Sequence, residues 1–344
     1  MIDERINKVK EILNTKQKIS IVCHRNPDGD AYGSSLALYH YLKKAHDVTV
    51  ISPNDCPNFL KWLPGEKDIV IFEQEEEKAT AILKKSDVVF TLDFNALHRT
   101  GDRMEKALQN LNPKFIMIDH HQQPDDYAKV QFSDTSKSST CEMVYDFIEN
   151  LGDSDKVNKE IATCIYTGIM TDTGSFRFPS TTPHTHRIVA NLLEKGADNA
   201  KIYNNVMDNN SLDRMKLLSK ALGNLVLLKK YKTAYITLSQ KELNNFNFEK
   251  GDTEGFVNYA LSIKDVVFAV IFIEDKQQGI IKMSFRSKGK FSVNEFARNH
   301  FNGGGHTNAA GGRSEVSLEK TVEKFLRILP EYQNEIKKSY ESNF

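Results

Sequence analysis

The segment Ile19–Gly33 reads ISIVCHRNPDGDAYG, and it predicts a strand, an acidic loop and the start of a helix. Its first four residues are mostly apolar and β-prone, whereas the proline and glycine at its centre favour a loop. Apolar residues return at helical spacing over Ala31–Lys44, and Asp30 is the expected N-cap of that helix. His24, Asp28 and Asp30 therefore follow the carboxyl end of a strand, which is where open α/β sheets bind ligands.

Two carboxylates and an imidazole on one loop repel one another unless a cation binds between them. Oxygen ligands together with imidazole suit Mn²⁺ or Mg²⁺, and Zn²⁺ or Fe²⁺ are further options. Taken alone, the Asp-Gly-Asp sequence is also compatible with a solvated turn. A calcium loop is excluded, because Ala31 stands where that loop requires Gly and Ala37 stands where it requires Glu.

The length and charge of the chain limit the possible architectures and partners. A chain of 344 residues predicts two domains with sizeable cores. Lys and Arg number 46, as do Asp and Glu, so the net charge is zero. A groove for long nucleic acids usually brings an excess of basic residues, so we expect no such groove.

The cysteines and the apolar segments predict a soluble cytoplasmic protein. Cys23, Cys56, Cys141 and Cys164 form no CxxC pair and are expected to be reduced, buried thiols. The N-terminal residues lack the apolar core of a signal peptide. Since no apolar run is long enough to span a bilayer, we expect no membrane association.

Ionisable side chains also follow three further apolar segments. The predicted strand at 87–92 ends at Asp93, and the one at 114–118 ends at the triplet Asp119, His120 and His121; the apolar segment at 161–170 leads to Asp172. Parallel strands present their carboxyl ends at one edge of a sheet, so these groups are expected to converge there with those of the first loop.

The order of the predicted elements indicates an α/β protein. Strands alternate with helices in the N-terminal part, which predicts a mostly parallel sheet flanked by helices. The C-terminal part predicts a smaller mixed-sheet α/β domain, with strands at 233–238, 266–273 and 279–285 and helices at 293–299 and 317–329. We expect domains at 1–190 and 216–344, joined by a helical linker at 191–215.

With these motifs in view, the sequence resembles the DHH phosphoesterases and their associated DHHA1 domain. The resemblance covers nearly the whole chain, and the motifs that carry it are His24-x3-Asp28-x-Asp30-x2-Gly33, the isolated Asp93, Asp119-His120-His121, Gly168-Ile-Met-Thr-Asp172, Ser284-Phe-Arg286 and Gly303-Gly304-Gly305-His306.

The resemblance implies two divalent metal ions, with Mn²⁺ as the first choice and Mg²⁺ or Co²⁺ as alternatives. It implies that His24 and Asp28 bind one ion, and that Asp93 bridges both ions and is catalytic. The remaining implied ligands, which hold the second ion, are Asp30, His120 and Asp172.

The same resemblance assigns roles to residues around the reacting phosphate. Asp119 would orient the histidines, and His121 would face the scissile phosphate as a cation or proton donor. Arg286 and His306 would grip a terminal phosphate. Arg177, which follows the last ligand motif, is expected either to reach the substrate or to form a structural ion pair.

The triple glycine at Gly303, Gly304 and Gly305 leaves two interpretations open. Its spacing matches neither a dinucleotide-binding nor a Walker motif. It is either a flexible turn or, with Arg286, Lys288 and Arg298 nearby in the sequence, part of a nest of backbone N–H groups that binds an anion.

The expected function is metal-dependent hydrolysis of short oligoribonucleotides, of 3′-phosphoadenosine-5′-phosphate, or of both, in a cleft between the domains. The expected partner is thus a short RNA or a nucleotide bisphosphate. Alternatives are a phosphodiesterase for linear or cyclic dinucleotides, a pyrophosphatase or exopolyphosphatase-like hydrolase, and a nucleotide sensor without catalysis. The oligomeric state is open, and a homodimer is one option.

Overall fold

The computed structural model describes residues 4–111 and 113–341, and the chain divides into two compact units between Asn209 and Asn210. Each unit has its own six-stranded sheet and its own hydrophobic core. The predicted α/β class, with a parallel sheet followed by a mixed sheet, is confirmed.

The first unit alternates strands and helices along the chain. Its strands are β1 (Lys18–Val22), β2 (Asp47–Ser52), β3 (Val70–Ile71), β4 (Val88–Leu92), β5 (Lys114–Asp119) and β6 (Val130–Ser133). Its helices are α1 (Glu4–Leu13), α2 (Gly29–Leu42), α3 (Glu76–Lys84), α4 (Asp102–Gln109), α5 (Thr140–Asn150), α6 (Lys159–Asp172), α7 (Pro183–Glu194) and α8 (Asn199–Val206).

All strands of this sheet are parallel and lie in the order β3-β2-β1-β4-β5-β6. Apolar side chains project from both faces of this sheet. Ile21 packs into the core on one face, and its neighbour Val22 packs into the core on the other face. Because the strand order reverses between β1 and β4, the loops after these two strands diverge and leave a crevice at the carboxyl edge. The loop with His24 and the loop with Asp93 are those two loops.

Two details of the first unit differ from the sequence prediction. The N-cap of α2 is Asp28, whose Oδ1 accepts hydrogen bonds from Asp30 N (3.0 Å) and Ala31 N (3.1 Å), so the expectation of Asp30 as the cap was wrong. Residues 161–170 belong to the buried helix α6, so Asp172 arrives at the sheet edge from the end of a helix and not from a strand.

Helix α6 lies unusually close to α2. A Cβ atom at Gly33 of α2 would stand 2.6 Å from the Cys164 carbonyl oxygen, and one at Gly168 of α6 would overlap the Cys141 Sγ. It would also stand 2.9 Å from Asp30 Oδ1. The two glycines therefore permit a backbone approach that larger residues would prevent, and this approach brings the end of α6 to the sheet edge.

The second unit is built around a mixed sheet. Its strands are β7 (Val226–Leu228), β8 (Thr233–Leu238), β9 (Phe268–Asp275), β10 (Ile280–Ser287), β11 (Gly304–His306) and β12 (Ala309–Ser314). Its helices are α9 (Leu212–Gly223), α10 (Gln240–Asn245), α11 (Phe256–Ser262), α12 (Val293–His300), α13 (Leu318–Ile328) and α14 (Gln333–Glu341).

The strand order in this sheet is β11-β12-β10-β9-β8-β7, and β8 and β9 form its one parallel pair among the described residues. The side chains of β9 alternate between a core rich in phenylalanine, which Phe268 joins, and an aliphatic core, which Ala269 joins. The three strands and two helices predicted here are present, whereas the short strands β7, β11 and β12 were not predicted.

The zero net charge of the chain is the sum of two opposite charges. Residues 1–209 contain 25 Lys and Arg against 31 Asp and Glu, whereas residues 210–344 contain 21 against 15. The first unit thus carries a formal charge of −6 and the second of +6. Although the net charge of the chain is zero, the second unit is basic, and its positive charge favours contact with an anionic partner.

All four cysteines are free and buried, as the sequence predicts. Burial raises the pKa of Cys23 to about 12, so this thiol stays protonated at neutral pH. Among the described residues, no helix combines the length and the apolar character that crossing a membrane requires.

The tight packing of α6 at Gly168 is testable by adding one methyl group. We expect Gly168→Ala to destabilise the protein by about 1–3 kcal/mol, because the new Cβ has no room beside Cys141. Gly223→Ala is the matched control: it is also a helical position, but its added Cβ meets no atom within 4 Å. Thermal unfolding followed by circular dichroism measures both.

The double variant Gly168→Ala with Cys141→Ala removes the overlapping sulfur and should recover part of the loss. Equal unfolding midpoints for Gly168→Ala and Gly223→Ala would contradict the packing argument.

Candidate metal centre

Six ionisable side chains converge at the carboxyl edge of the parallel sheet. They come from the loops after β1, β4 and β5, from the first turn of α2 and from the end of α6, and they are His24, Asp28, Asp30, Asp93, His120 and Asp172. Those from α2 and α6 depend on the close packing of these two helices. The group of side chains predicted at the sheet edge thus includes one, Asp172, that comes from the end of a helix.

The six side chains form two groups of three. The ligand atoms of His24, Asp28 and Asp93 all lie within 4.8 Å of one another, as do those of Asp30, His120 and Asp172. Asp93 stands between the groups: its Oδ2 lies 3.4 Å from His24 Nε2, and its Oδ1 lies 3.6 Å from His120 Nε2. One carboxylate therefore directs one oxygen toward each group.

Both imidazoles are held by backbone carbonyl groups. His24 Nδ1 lies 2.9 Å from the Arg25 carbonyl oxygen, and His120 Nδ1 lies 3.2 Å from the Lys137 carbonyl oxygen. Because a carbonyl oxygen only accepts, each Nδ1 carries the hydrogen, and in the neutral ring Nε2 presents a lone pair. That lone pair faces carboxylate oxygens in both groups, an arrangement suited to sharing a cation.

The N-terminus of α5 fixes the acidic ligands. Thr140 N donates to Asp30 Oδ2 (2.6 Å), Cys141 N donates to Asp30 Oδ1 (2.8 Å), and the Thr140 hydroxyl donates to Asp93 Oδ1 (3.0 Å). Backbone N–H groups at a helix N-terminus favour negative charge. Ser139 caps this helix by accepting from Glu142 N (3.0 Å), and the contact of the helix N-terminus with the acidic site was not predicted.

A buried carboxylate anchors the turn that precedes α5. Glu142, which is 2 % exposed, accepts from the Ser138 hydroxyl (2.5 Å) and from the Thr185 hydroxyl of α7 (2.8 Å). Its other oxygen lies 3.4 Å from the Lys137 ammonium group. This network holds the Lys137 carbonyl that orients His120, so Glu142 supports the site without touching it.

The centre concentrates negative charge in a buried place. Burial, followed by the charges of Asp30, Asp28 and Asp172, raises the pKa of Asp93 well above its usual range. Burial likewise raises the pKa of Asp30 and lowers that of His24. Burial opposes charge on His120 as well, but the carboxylates Asp172 and Asp30 prevail and raise its pKa. Without a cation the protein thus disfavours the charges that it has gathered.

These residues fit two divalent ions. With metal–ligand bonds of roughly 2.1 Å, ligand atoms in neighbouring coordination positions lie roughly 3.0–3.4 Å apart. The oxygen–nitrogen distances from Asp93 and Asp172 to the histidines, 3.4–3.6 Å, are close to that range and long for direct hydrogen bonds. Four carboxylates and two imidazoles also match the charge and the donor types that two such ions require.

Asp119 and His121 lie beside the two groups. Asp119 is fully buried, and its Oδ1 lies 2.7 Å from His121 Nδ1. Asp119 thus orients His121, whereas His120 is oriented by a backbone carbonyl. The Asp119 Oδ2 is buried without a hydrogen-bond partner in the part of the chain that the structure describes, as expected of an atom next to a ligand position.

In the second unit, the predicted glycine loop is largely strand. Gly304, Gly305 and His306 form β11, which pairs with β12, and Gly305 has a φ of +148°. A Cβ at Gly305 would stand 2.5 Å from the Ala309 carbonyl oxygen, and one at Gly303 would overlap the Gly311 carbonyl oxygen. The glycines thus have a structural reason for their presence in addition to any contact with an anion.

Asn294 of α12 organises the same segment. It is 4 % exposed, and its Oδ1 accepts from Gly305 N (3.0 Å) and from Arg298 Nε (3.2 Å). The Gly305 N–H is therefore bonded to a side chain and not directed at a ligand. No sequence pattern indicates this role of Asn294, because the role depends on a contact between α12 and β11.

The two remaining candidates are arginines in separate units. Arg286 lies in β10, where its Nη1 donates to the Phe285 carbonyl (3.0 Å), and its partner position across the ladder is Ala309 of β12, which in turn pairs with His306 of β11. Arg177 is exposed, lies 5.4 Å from the centre of the Phe178 ring and pairs with no carboxylate among the described residues.

The charge argument predicts opposite effects of one substitution on stability and on metal binding. Asp93→Asn removes the carboxylate whose charge is most disfavoured, and asparagine tolerates the left-handed backbone of this position (φ +65°). We expect a higher unfolding midpoint than wild type in chelator at pH 8, together with weaker binding of divalent ions. Thermal unfolding and calorimetric Mn²⁺ titration measure the two effects.

The pH dependence of this difference follows from the raised pKa. A group whose pKa is higher in the folded state loses its stabilising contribution as the pH rises through that value, so the advantage of Asp93→Asn should grow with pH. The exposed Asp126→Asn is the control and should show no such trend. A lower midpoint for Asp93→Asn in chelator at pH 8 would refute the argument.

Comparisons with known proteins identify the family of this chain. Residues 18–169 match the DHH family, N-terminal domain, and residues 229–335 match the DHHA1 domain. The chain is 31% identical to the bifunctional oligoribonuclease and PAP phosphatase NrnA of Thermus thermophilus, over 95% of this chain and 94% of that protein. It is 30% identical to the protein of the same name from Bacillus subtilis, over 85% and 88%.

A solved structure is also similar. The crystal structure of an exopolyphosphatase-related protein from Bacteroides fragilis superimposes with a TM-score of 0.92 at 42% identity, covering 97% of this chain and 98% of that one. The match extends over both units in sequence and fold. The chain therefore belongs to the DHH family, with an N-terminal DHH domain followed by a DHHA1 domain, and is a phosphoesterase.

Proposed function

We propose that this protein hydrolyses short oligoribonucleotides and 3′-phosphoadenosine-5′-phosphate with two divalent ions, Mn²⁺ in the first place. The observation that carries the proposal is the position of Asp93, whose two oxygens face two separate groups of ligand atoms. The names of the relatives from Thermus thermophilus and Bacillus subtilis supply the substrate class.

In this proposal His24, Asp28 and Asp93 hold one ion, and Asp30, His120, Asp172 and again Asp93 hold the other. Two bound divalent ions supply Lewis-acid activation of water and of phosphoryl oxygens. The chain contributes the fixed geometry: the α5 N-terminus holds Asp30, and backbone carbonyls hold both imidazoles.

His121 is the proton donor in this scheme. Its Nδ1 hydrogen is directed to Asp119 Oδ1 at 2.7 Å, which leaves Nε2 as the atom that carries the mobile proton. Transfer of this proton from Nε2 to the leaving oxygen would neutralise the negative charge that develops there as the ester bond breaks.

In the second unit, we expect a few residues to bind a phosphate group. Arg286 offers a guanidinium group suited to phosphate, and it shares a row of the sheet with Ala309 and His306. The formal charge of +6 on this unit supports anion binding in general. Asn294 keeps β11 and Arg298 in place beside this row.

A second candidate is hydrolysis of inorganic polyphosphate. The similarity to the exopolyphosphatase-related protein from Bacteroides fragilis favours it. Both candidates use the same metal centre and differ in what the second unit recognises. Pyrophosphate and polyphosphate therefore belong in every substrate comparison, and rapid hydrolysis of either without activity on RNA would decide for this candidate.

Metal preference is the first test of the proposal. We expect Mn²⁺ to restore activity to chelator-treated enzyme better than Ca²⁺, because the imidazoles of His24 and His120 favour a transition metal over an ion that prefers oxygen. The measurement is hydrolysis of a labelled RNA dimer at equal concentrations of each ion. Full activity in excess chelator, after metal analysis shows complete removal, would refute the mechanism.

Substrate length is the second test. We expect hydrolysis to fall steeply once RNA exceeds about five nucleotides, since the named phosphate contacts are confined to a few residues of the second unit. Labelled RNAs from 2 to about 20 nucleotides, run beside 3′-phosphoadenosine-5′-phosphate, give the profile. Equal rates for dimers and 20-mers would mean that the positive charge of the second unit binds long strands.

The phosphate clamp predicts a specific kinetic change. Arg286→Ala should raise KM by about 10-fold or more, because it removes a charge-assisted contact that ground state and transition state share. Lys282→Ala is the matched control, since Lys282 lies on the same strand and the same face and pairs with Asp275 at 2.7 Å. Equal KM values for the two variants would contradict the role of Arg286.

A further inference from the structure

Arg99 is an arginine of the first unit that lies in a loop beside the metal centre. It belongs to the short helical turn Leu97–Thr100 in the loop that begins with Asp93. Its carbonyl oxygen accepts from Arg25 N (2.8 Å), so its backbone is bonded to the residue that follows His24. Arg99 therefore has a fixed place where the loop after β4 meets the loop after β1.

Within the part of the chain that the structure describes, the guanidinium group of Arg99 has no protein partner. Its side chain is half-buried, and its Nε is buried without an acceptor within residues 4–111 and 113–341. In the same described residues no carboxylate pairs with it, whereas Arg25 pairs with Glu73 (3.0 Å) and Arg103 pairs with Glu76. A buried charged donor without an acceptor is costly, so its presence calls for an acceptor that the protein itself does not supply.

The surroundings limit what this acceptor is. The Arg99 carbonyl oxygen is bonded to Arg25 N at 2.8 Å, so Arg99 lies in the loop beside His24, and its charge is one of those that act on that imidazole. Two divalent ions would balance the four carboxylates Asp28, Asp30, Asp93 and Asp172. A phosphate ester brings additional negative charge, and the planar guanidinium group matches its oxygens.

We propose that Arg99 binds a non-bridging oxygen of the substrate phosphate at the metal centre and retains the phosphomonoester product by the same contact. The inference rests on the proposed function, because it presumes an anionic substrate at this centre. It adds a cation from the first unit to those already named in the second. Arg177 is less suited to this task, since it is exposed and lies over the ring of Phe178.

The test compares Arg99→Gln and Arg99→Lys with wild type, and Arg103→Gln is the matched control on the neighbouring helix. Calorimetry measures Mn²⁺ binding to each protein, and then the binding of AMP to the Mn²⁺-loaded protein. A hydrogen bond to a charged group is worth roughly 10-fold to 100-fold in affinity. We expect Arg99→Gln to weaken AMP binding by at least about 10-fold and to change Mn²⁺ affinity less than about 2-fold.

The controls separate binding from structure. Arg99→Lys should restore part of the AMP affinity, because it keeps the charge but loses the two-pronged geometry, and Arg103→Gln should match wild type. Unchanged AMP affinity in Arg99→Gln would overturn the inference. A parallel loss of Mn²⁺ affinity would also overturn it, since Arg99 would then support the ligand loops only.

The same variants separate this inference from the proposed function. If the wild-type protein binds AMP through Arg99 but hydrolyses neither short RNA nor 3′-phosphoadenosine-5′-phosphate, the inference stands and the substrate assignment fails. If hydrolysis proceeds with unchanged KM in Arg99→Gln and AMP affinity is also unchanged, the substrate assignment stands and the inference fails.

Discussion

Mutual repulsion among buried carboxylates is the constraint on which the first unit depends. Asp28, Asp30, Asp93 and Asp172 stand together at an edge where burial already disfavours charge, and the pKa of Asp93 is raised most clearly as a result. In the folded protein these carboxylates are held close together, so their repulsion persists. The protein thereby keeps a place whose electrostatic energy falls when cations bind, which is the physical basis of the metal centre.

A helix end and backbone groups hold three of the candidate ligands in position. The amides at the start of α5 bind Asp30, and two backbone carbonyls set the tautomers of His24 and His120. Glu142 then fixes the turn before α5 through hydroxyl groups on two elements. The ligands are consequently placed by groups that cannot themselves bind the metal, so substitutions at these supports should act through geometry.

The distribution of charge between the units links the site to its substrate. The first unit is acidic, which favours cations, and the second unit is basic, which favours anions. In the acidic unit, the Arg99 Nε is a buried cationic donor without a protein partner among the described residues. This arrangement accounts for a chain of zero net charge that acts on highly charged molecules.

The sequence by itself determined the α/β class, and its local patterns predicted six candidate ligands at the ends of apolar segments. His24, Asp93 and His120 follow strands because apolar runs and loop residues are local signals, and their motifs carry the family resemblance. The tertiary structure decided what depends on contacts between distant segments. Asp28 rather than Asp30 caps α2, since Asp30 is drawn to the amides of α5, 110 residues away in the sequence. Asp172 joins the centre only because Gly33 and Gly168 let two helices approach closely, and Asn294, Glu142 and Arg99 acquire their surroundings from elements that no short-range pattern connects.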